Sequence, residues 1–203
     1  TGVLHDVSGR PTGFVTQFVD ITEARAAREQ LHFLATHDPL TGLLDRRELE
    51  RHLSDVMTKL PSATATTSTV CVLFIDLDGL KPLNDTYGHA RGDQVLTLVA
   101  QQVAHVPALD VVARYGGDEF VAVAQVASTA QAVEIADTIG QVVNEPLSID
   151  GGEIEVSLSI GVALAAPGES PASVLRRADA AMYQAKAQGR SQAVVAEQPP
   201  TLA

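Results

Sequence analysis

The 203-residue chain lacks three features, each of which would point to a particular class of protein. Its single cysteine, Cys71, cannot form an internal disulfide and, within an apolar run, indicates a core residue in a reducing compartment. The sequence contains only 14 Lys and Arg but 25 Asp and Glu, and the resulting net charge of −11 argues against binding to nucleic acid. No apolar stretch approaches the ~18–20 residues that span a membrane. We therefore expect no nucleic-acid partner, no membrane contact from this segment and a cytoplasmic location, although a longer parent protein could still be membrane-anchored.

The hydrophobic pattern predicts one α/β domain with appended segments. An apolar run at residues 70–75 is typical of a buried central strand, and a Gly-Gly pair between runs 111–115 and 120–123 predicts a hairpin. Further strands are predicted at residues 13–21, 147–149, 154–163 and 193–196, helices at 22–35, 45–59, 83–87, 93–105, 128–143 and 171–188, and a flexible connector at 61–69. Because the strands pair as hairpins, we expect a mostly antiparallel sheet flanked by helices, an α/β sandwich of ferredoxin-like type.

Acidic residues lie at the ends of two of these strands. Asp118 and Glu119 follow the Gly-Gly pair, and because successive strand residues point to opposite faces, only one of them should face a given site. Asp76 ends the central strand, and Asp78 lies two residues on. Brought together, such acids predict an oxygen-rich site for Mg²⁺ or Mn²⁺, whose charge would let an acidic protein bind a nucleotide. The alternative is that these are ordinary solvated acids. Each cluster taken alone favours this alternative and a functional site about equally.

Other polar residues are suited to binding a nucleotide. Asn84 and Asp93 fit guanine, because a carboxylate accepts from its N1–H and N2–H₂ groups while an amide serves the rest of the base edge. Asp93 equally suits the first turn of a helix, where an acid complements the helix dipole. Lys186 and Arg190, four residues apart near a helix end, should share one side and grip phosphates, or serve only as cations favoured at a helix C-terminus. Lys81 is either a third phosphate ligand or a solvated lysine.

Taken in order, six motifs resemble those of the GGDEF-domain diguanylate cyclases. They are residues 38–43, 76–81, 84–93, 116–120, 159–161 and 180–190, so that the resemblance covers residues 37 to 190. It implies a ferredoxin-like fold related to nucleotidyl cyclases and polymerase palms. It also implies an enzyme that condenses two GTP molecules into cyclic di-GMP with loss of two pyrophosphates, acting as a metal-dependent homodimer in bacterial second-messenger signalling.

The resemblance assigns roles to the acidic residues. Asp76 and Asp118 would hold the divalent metal, with help from the carbonyl of Leu77. Either Asp118 or Glu119 would assist deprotonation of the attacking 3′-hydroxyl. Lys81 would assist catalysis at the phosphates.

A second group of residues would contact GTP by the same resemblance. Its members are Leu43, Asn84, His89, Asp93, Gly116, Gly117, Lys186 and Arg190. Asn84 and Asp93 would read guanine, with Leu43 against the face of the base and His89 nearby. Lys186 and Arg190 would hold phosphates, and the two glycines would let the nucleotide approach the backbone.

One position departs from the family pattern. The inhibitory product site of the family is an Arg-x-x-Asp placed five residues before Gly-Gly, and here Pro107 replaces the Arg while Asp110 is retained. Because no guanidinium is available to grip the product, we expect inhibition by cyclic di-GMP through this position to be weak.

The remaining segments suggest a larger signalling protein. Residues 1–21 resemble the last hairpin of a PAS sensor domain, residues 22–36 a signalling linker helix that pairs with its copy and begins at a capping Thr22, and residues 197–203 a tail or linker. The cyclase domain would then occupy residues 37–196. The alternative function is a GTP-binding regulatory module without turnover that precedes an EAL phosphodiesterase domain. Retention of the metal and Gly-Gly residues favours the enzyme.

Overall fold

A computed structural model describes residues 2–16, 19–59, 68–149 and 151–199, and it divides the chain after Ala35 into two compact units. In the first unit, strand β1 (Gly2–His5) pairs antiparallel with β2 (Pro11–Val15), and helix α1 spans Thr22–Thr36. The strand predicted at 13–21 is too long. Beyond Val15, which pairs with Gly2, the described residues of that range are not strand. The predicted helix is confirmed.

The sequence predicted that Thr22 caps helix α1, and this prediction is wrong. The amide of Arg25 donates to the carbonyl of Ile21, so Thr22 already lies inside the first turn. Its own amide donates to Asp20 Oδ1 at 2.9 Å, so the acid two residues earlier satisfies one of the free amides at this end.

The second unit is built around one five-stranded sheet. Its elements are α2 (Arg46–Lys59), β3 (Thr69–Asp78), α3 (Leu80–Tyr87), α4 (His89–Ala104), β4 (Val111–Gly116), β5 (Glu119–Val126), α5 (Thr129–Val143), β6 (Leu147–Ile149), β7 (Gly152–Ile154), β8 (Ser157–Leu164), α6 (Pro171–Ala187) and β9 (Gln192–Val195). The strand order is β4-β5-β3-β8-β9, and all neighbours are antiparallel except β8 and β9. The α/β architecture and the mostly antiparallel sheet are therefore confirmed.

Strand β3 lies at the centre of the sheet and divides the core into two layers. Cys71, Leu73 and Ile75 belong to a cluster with residues of α4 and α5, whereas Val72 and Phe74 belong to a cluster with residues of α2 and α6. This alternation is the period of two expected for a strand covered on both faces. Cys71 is buried, as predicted, and burial raises the pKa of its thiol to about 12.

Several element boundaries differ from the prediction. β3 continues to Asp78, because pairing with β8 persists as far as Ser157. The predicted strand 154–163 is two strands, since β7 pairs with β6 in a separate hairpin while β8 joins the main sheet. Helix α4 begins at His89, four residues earlier than predicted, directly after Gly88 at φ 84°. Most of the predicted connector, residues 61–67, lies outside the described residues.

Among the described residues, no helix is both long enough and apolar enough to cross a membrane.

Gly161 on β8 allows helix α6 to lie directly on the sheet. A Cβ at this position would fall well inside 3.0 Å of the Ala178 carbonyl oxygen and the Met182 amide nitrogen, which are backbone atoms that cannot rotate away. The close approach sets the distance between the sheet and the middle of α6.

Replacing Gly161 by alanine should therefore destabilise the fold. We expect Gly161→Ala to lower the free energy of unfolding by about 3 kcal/mol, because the helix must shift to admit one methyl group. Gly140→Ala is the matched control, since Gly140 lies within α5 with open space around it, and it should stabilise the protein by about 0.5–1 kcal/mol. Urea unfolding followed by circular dichroism measures both, and equal stability of the two variants would contradict this account of α6 packing.

Candidate active site

The site is centred on Asp76, a carboxylate in the middle of the sheet. β3 places it between Glu119 on β5 and Ser159 on β8, and its side chain is only 5% exposed. From α6, Lys186 places its Nζ 2.6 Å from Asp76 Oδ2. Burial raises the pKa of Asp76 to about 6; the Lys186 ammonium opposes this shift, and the charges of Asp118 and Asp78 add to it. Asp76 therefore lies in a site with more negative charge than one lysine balances.

The hairpin between β4 and β5 brings Asp118 to this carboxylate. Gly117 has φ 55°, which a residue without a side chain adopts freely, and the amide of Leu77 donates to the Asp118 carbonyl at 3.1 Å. Asp118 precedes β5, so the alternation of a strand does not apply to it.

Both hairpin acids lie near Asp76, and which of them faces a substrate stays a prediction. Glu119 is the cross-strand partner of Asp76, and paired strand residues share one face. Burial raises the pKa of Glu119, and Asp179 and Asp118 raise it further, while Lys186 and Arg46 oppose them. Sequence reasoning missed Asp179, which α6 brings here from 60 residues away in the chain.

The residues predicted to recognise guanine lie on and beside α3 and α4. Asn84 Oδ1 is buried without a hydrogen-bond partner in the described part of the chain. Gly92 makes room for it, because a Cβ there would overlap this oxygen. His89 and Asp93 are exposed on α4, and Leu43 packs partly buried against the core layer of α4 and α5. Asn84 thus carries an acceptor whose hydrogen-bonding capacity the described protein groups leave unused.

The predicted phosphate ligands are arranged differently from expectation. Lys186 and Arg190 do not share one side of a helix, because α6 ends at Ala187 and the chain turns left-handed at Gly189, with φ 120°. Lys186 contacts Asp76, whereas Arg190 is 62% exposed with its Nε 3.8 Å from Asp78. Lys81 is exposed in the first turn of α3, and Gly116 and Gly117 are exposed at the hairpin.

Residues 35–192 match the family described as diguanylate cyclase, GGDEF domain. The chain belongs to this family. Among curated relatives, it is 41% identical over 170 residues to the bifunctional diguanylate cyclase/cyclic di-GMP phosphodiesterase MucR of Pseudomonas aeruginosa, which covers 83% of this chain and 24% of MucR. It is also 41% identical over 166 residues to the response regulator PleD of Caulobacter vibrioides, covering 79% of this chain and 36% of PleD. The chain thus spans well under half the length of these relatives.

Solved structures show the same fold as this GGDEF domain. The coiled coil and GGDEF domain of DgcB from Caulobacter crescentus, in complex with c-di-GMP, is 32% identical with a TM-score of 0.77, covering 87% of this chain and 93% of that one. The GGDEF domain of TpbB (YfiN) from Pseudomonas aeruginosa is 41% identical with a TM-score of 0.73, covering 79% of this chain and 94% of that one.

An ion-pair network that sequence reasoning missed connects two motifs of the GGDEF domain. Arg114 Nη1 lies 3.1 Å from Asp38 Oδ1, and its Nε and Nη2 donate to the Gly117 carbonyl at 3.0 and 2.8 Å. Asp38 Oδ1 also accepts from the amide and hydroxyl of Thr41, and these bonds, together with Arg114, lower the pKa of Asp38 although burial opposes them. The turn that carries Leu43 is therefore connected to the hairpin between β4 and β5. Its signal in the sequence was the position of Arg114, two residues before Gly-Gly.

The residues present fit a hard divalent cation. The part of the chain that the structure describes contains no group of three or more His, Cys, Asp or Glu side chains arranged around a metal ion. The predicted set needs only two carboxylates, Asp76 and Asp118, and the carbonyl of Leu77. Buried oxygen ligands with excess negative charge are what Mg²⁺ and Mn²⁺ prefer.

The predicted product site remains a prediction. Pro107 and Asp110 are both exposed in the connection between α4 and β4. The amide of Asp110 donates to the Val123 carbonyl at 2.9 Å, which leaves its side chain on the surface.

The raised pKa of Asp76 predicts a stability change with a defined sign. Between the unfolded value of 3.8 and about 6, the folded state binds more protons, so stability falls as pH rises through this window. Asp76→Asn resembles the protonated acid. We therefore expect its free energy of unfolding to exceed that of wild type by about 2–3 kcal/mol at pH 7.5, with the difference vanishing near pH 4.

Urea titrations at several pH values measure this difference. Asp55→Asn is the control, since Asp55 forms only an exposed ion pair with Arg51, and its stability should follow wild type throughout. An Asp76→Asn variant less stable than wild type at pH 7.5 would show that Asp76 serves the fold rather than a site.

Proposed function

We propose that this GGDEF domain is an active diguanylate cyclase that condenses two GTP into cyclic di-GMP and two pyrophosphates. The observation that carries the proposal is the buried Asp76, held at the centre of the sheet among Asp118, Asp78 and Lys186 with its pKa raised to about 6. Charged groups are expensive to bury, and a fold retains them where they bind or react. The unpartnered Asn84 oxygen adds a recognition group for guanine.

In this proposal Asp76, Asp118 and the carbonyl of Leu77 hold Mg²⁺ or Mn²⁺. The metal, when bound, lowers the pKa of the attacking hydroxyl and offsets charge on the α-phosphate. Lys186 supplies a second positive charge at the same place. Glu119, with its pKa raised, is suited to accept the proton of the 3′-hydroxyl, because a base works best when its pKa approaches the working pH.

The substrate contacts follow from the same arrangement. Asn84 and Asp93 bind the guanine edge and Leu43 packs on its face, with His89 beside them. Lys81 and Arg190 bind the phosphates, and the exposed backbone of Gly116 and Gly117 lets the nucleotide lie close to the hairpin.

Turnover should depend on the carboxylates. We expect the protein with Mg²⁺ or Mn²⁺ to convert GTP, and not ATP, to cyclic di-GMP, and Asp76→Asn or Asp118→Asn to reduce the rate by about 100-fold or more. Chromatographic identification of the product measures this, with Asp55→Asn as the control that keeps wild-type activity.

Two outcomes would contradict this assignment. Wild-type rates in both site variants would contradict the assignment of Asp76 and Asp118 to a metal site. Tight GTP binding by the wild-type protein with no product, under conditions in which it is dimeric, would favour the regulatory module that precedes an EAL domain.

Catalysis further requires two copies, because one site holds one GTP and the product contains two. We propose that α1 is a signalling linker that pairs with its copy, and that the hairpin before it is the end of a PAS-like sensor domain. No described residue of α1 is buried, and Ala24, Ala27, Leu31 and Leu34 recur at the three- and four-residue spacing of a coiled-coil seam.

The activity of this chain should therefore rise with its own concentration. Four helical turns pair weakly, and the acidic surface opposes association, so dilution should separate the copies. We expect specific activity to increase over a hundredfold concentration range, and a leucine zipper fused in phase before Glu23 to remove this dependence, while an out-of-phase fusion should not. Flat specific activity from a protein that stays monomeric by sedimentation would exclude the dimer mechanism.

A further inference from the structure

Asp78 occupies a different environment from Asp76, although the two lie in one motif. Its side chain is 6% exposed, and its two oxygens accept three hydrogen bonds. Ser159 Oγ donates to Oδ1 at 2.8 Å, while Ser157 Oγ and the Ser191 amide donate to Oδ2 at 3.0 and 3.2 Å. A carboxylate whose lone pairs are already bound within the protein is a poor metal ligand.

The chain segment that Asp78 holds is strained. After α6 it passes through Gly189, Arg190 and Ser191 with φ values of 120°, 64° and 49°. Two successive residues with side chains in the left-handed region persist only where the surroundings fix them. Two hydrogen bonds from backbone amides do so, one from Arg190 to the Ala185 carbonyl at 3.0 Å and one from Ser191 to the Asp78 carboxylate.

The strained turn sets the position of a cation. Arg190 is directed back over Asp78, with Nε 3.8 Å from Oδ1, while its side chain stays 62% exposed. It lines an open pocket of about 670 Å³ together with Gly79, Ser157 and Ser191. This volume is in the range that holds small ligands.

We propose that Asp78 is a positioning residue that fixes Arg190 to receive the β- and γ-phosphates of the nucleotide. The assignment rests on the proposed function, because it presupposes that a guanine nucleotide binds at this end of β3. Asp78 touches neither the nucleotide nor the metal, and it acts by holding the Ser191 amide and the Arg190 guanidinium. Ser157 and Ser159 hold its carboxylate in place by hydrogen bonds.

The test compares how Asp78 variants bind a guanosine monophosphate and a guanosine triphosphate analogue, which differ in the β- and γ-phosphates. Binding of GMP and of guanosine 5′-(α,β-methylene)triphosphate, which resists cleavage at the α–β position, is measured by calorimetry with Mg²⁺. We expect Asp78→Asn to weaken the triphosphate about tenfold, as loss of a charge-assisted contact does, and to leave GMP within about twofold of wild type. Arg190→Ala should show the same pattern, and the double variant should lose no more than either single one.

Several controls keep the test decisive. Asp55→Asn should bind both ligands like wild type. If Asp78→Asn does not fold, Ser157→Ala removes one bond to the same carboxylate and should weaken the triphosphate in the same direction by a smaller factor. The Asp78→Asn defect should persist when Mg²⁺ is omitted.

The proposal is overturned if Asp78→Asn weakens both ligands equally, if its effect adds to that of Arg190→Ala, or if it binds the triphosphate like wild type. A defect that vanishes without Mg²⁺ would make Asp78 a metal ligand and overturn it as well. Failure of the wild-type protein to bind the triphosphate would instead contradict the proposed function, and with it this inference.

Discussion

The contact between the buried Asp76 carboxylate and the Lys186 ammonium is the interaction on which the candidate site depends. It places a charge in the centre of an apolar sheet, where burial opposes ionisation and holds the pKa near 6. The contact forms where α6 packs directly on the sheet, and this packing requires the absent side chain of Gly161. The packing of a core glycine thus determines the electrostatics of the candidate site.

Around this centre, each remaining part of the candidate site is fixed by a separate polar anchor. Arg114 ties the Gly117 carbonyl to Asp38, and Asp78 ties the turn after α6 to β8. The placement of Asn84, which we propose to contact guanine, depends on sterics, since a Cβ at position 92 would overlap its side-chain oxygen. Several groups proposed to contact GTP, such as Leu43, Gly116 and Arg190, come from turns and element ends, whereas the Asp78 side chain that holds the last of these turns is only 6% exposed.

The sequence predicted the central strand, the hairpin and the acids at their ends, because burial and turn chemistry are local properties. The six motifs in the sequence also predicted the family to which the chain belongs. The predicted helix 171–188 already ended before Arg190, but the sequence could not predict where Arg190 lies beyond it, because that depends on a left-handed turn held by Asp78, more than 100 residues earlier. The contacts of Arg114 and the influence of Asp179 on Glu119 were missed for the same reason. The break between β7 and β8 escaped notice because both segments are β-rich and only their pairing partners differ.

The most direct test of the central claim is the titration of the Asp76 carboxyl carbon by ¹³C NMR, with and without Mg²⁺. A buried carboxylate that belongs to a metal site should titrate with a pKa of about 6 in the metal-free protein, and Mg²⁺ should lower that value because the cation favours the ionised form. An ordinary pKa near 3.8 that Mg²⁺ does not change would contradict both the burial of the charge and its assignment to a metal site.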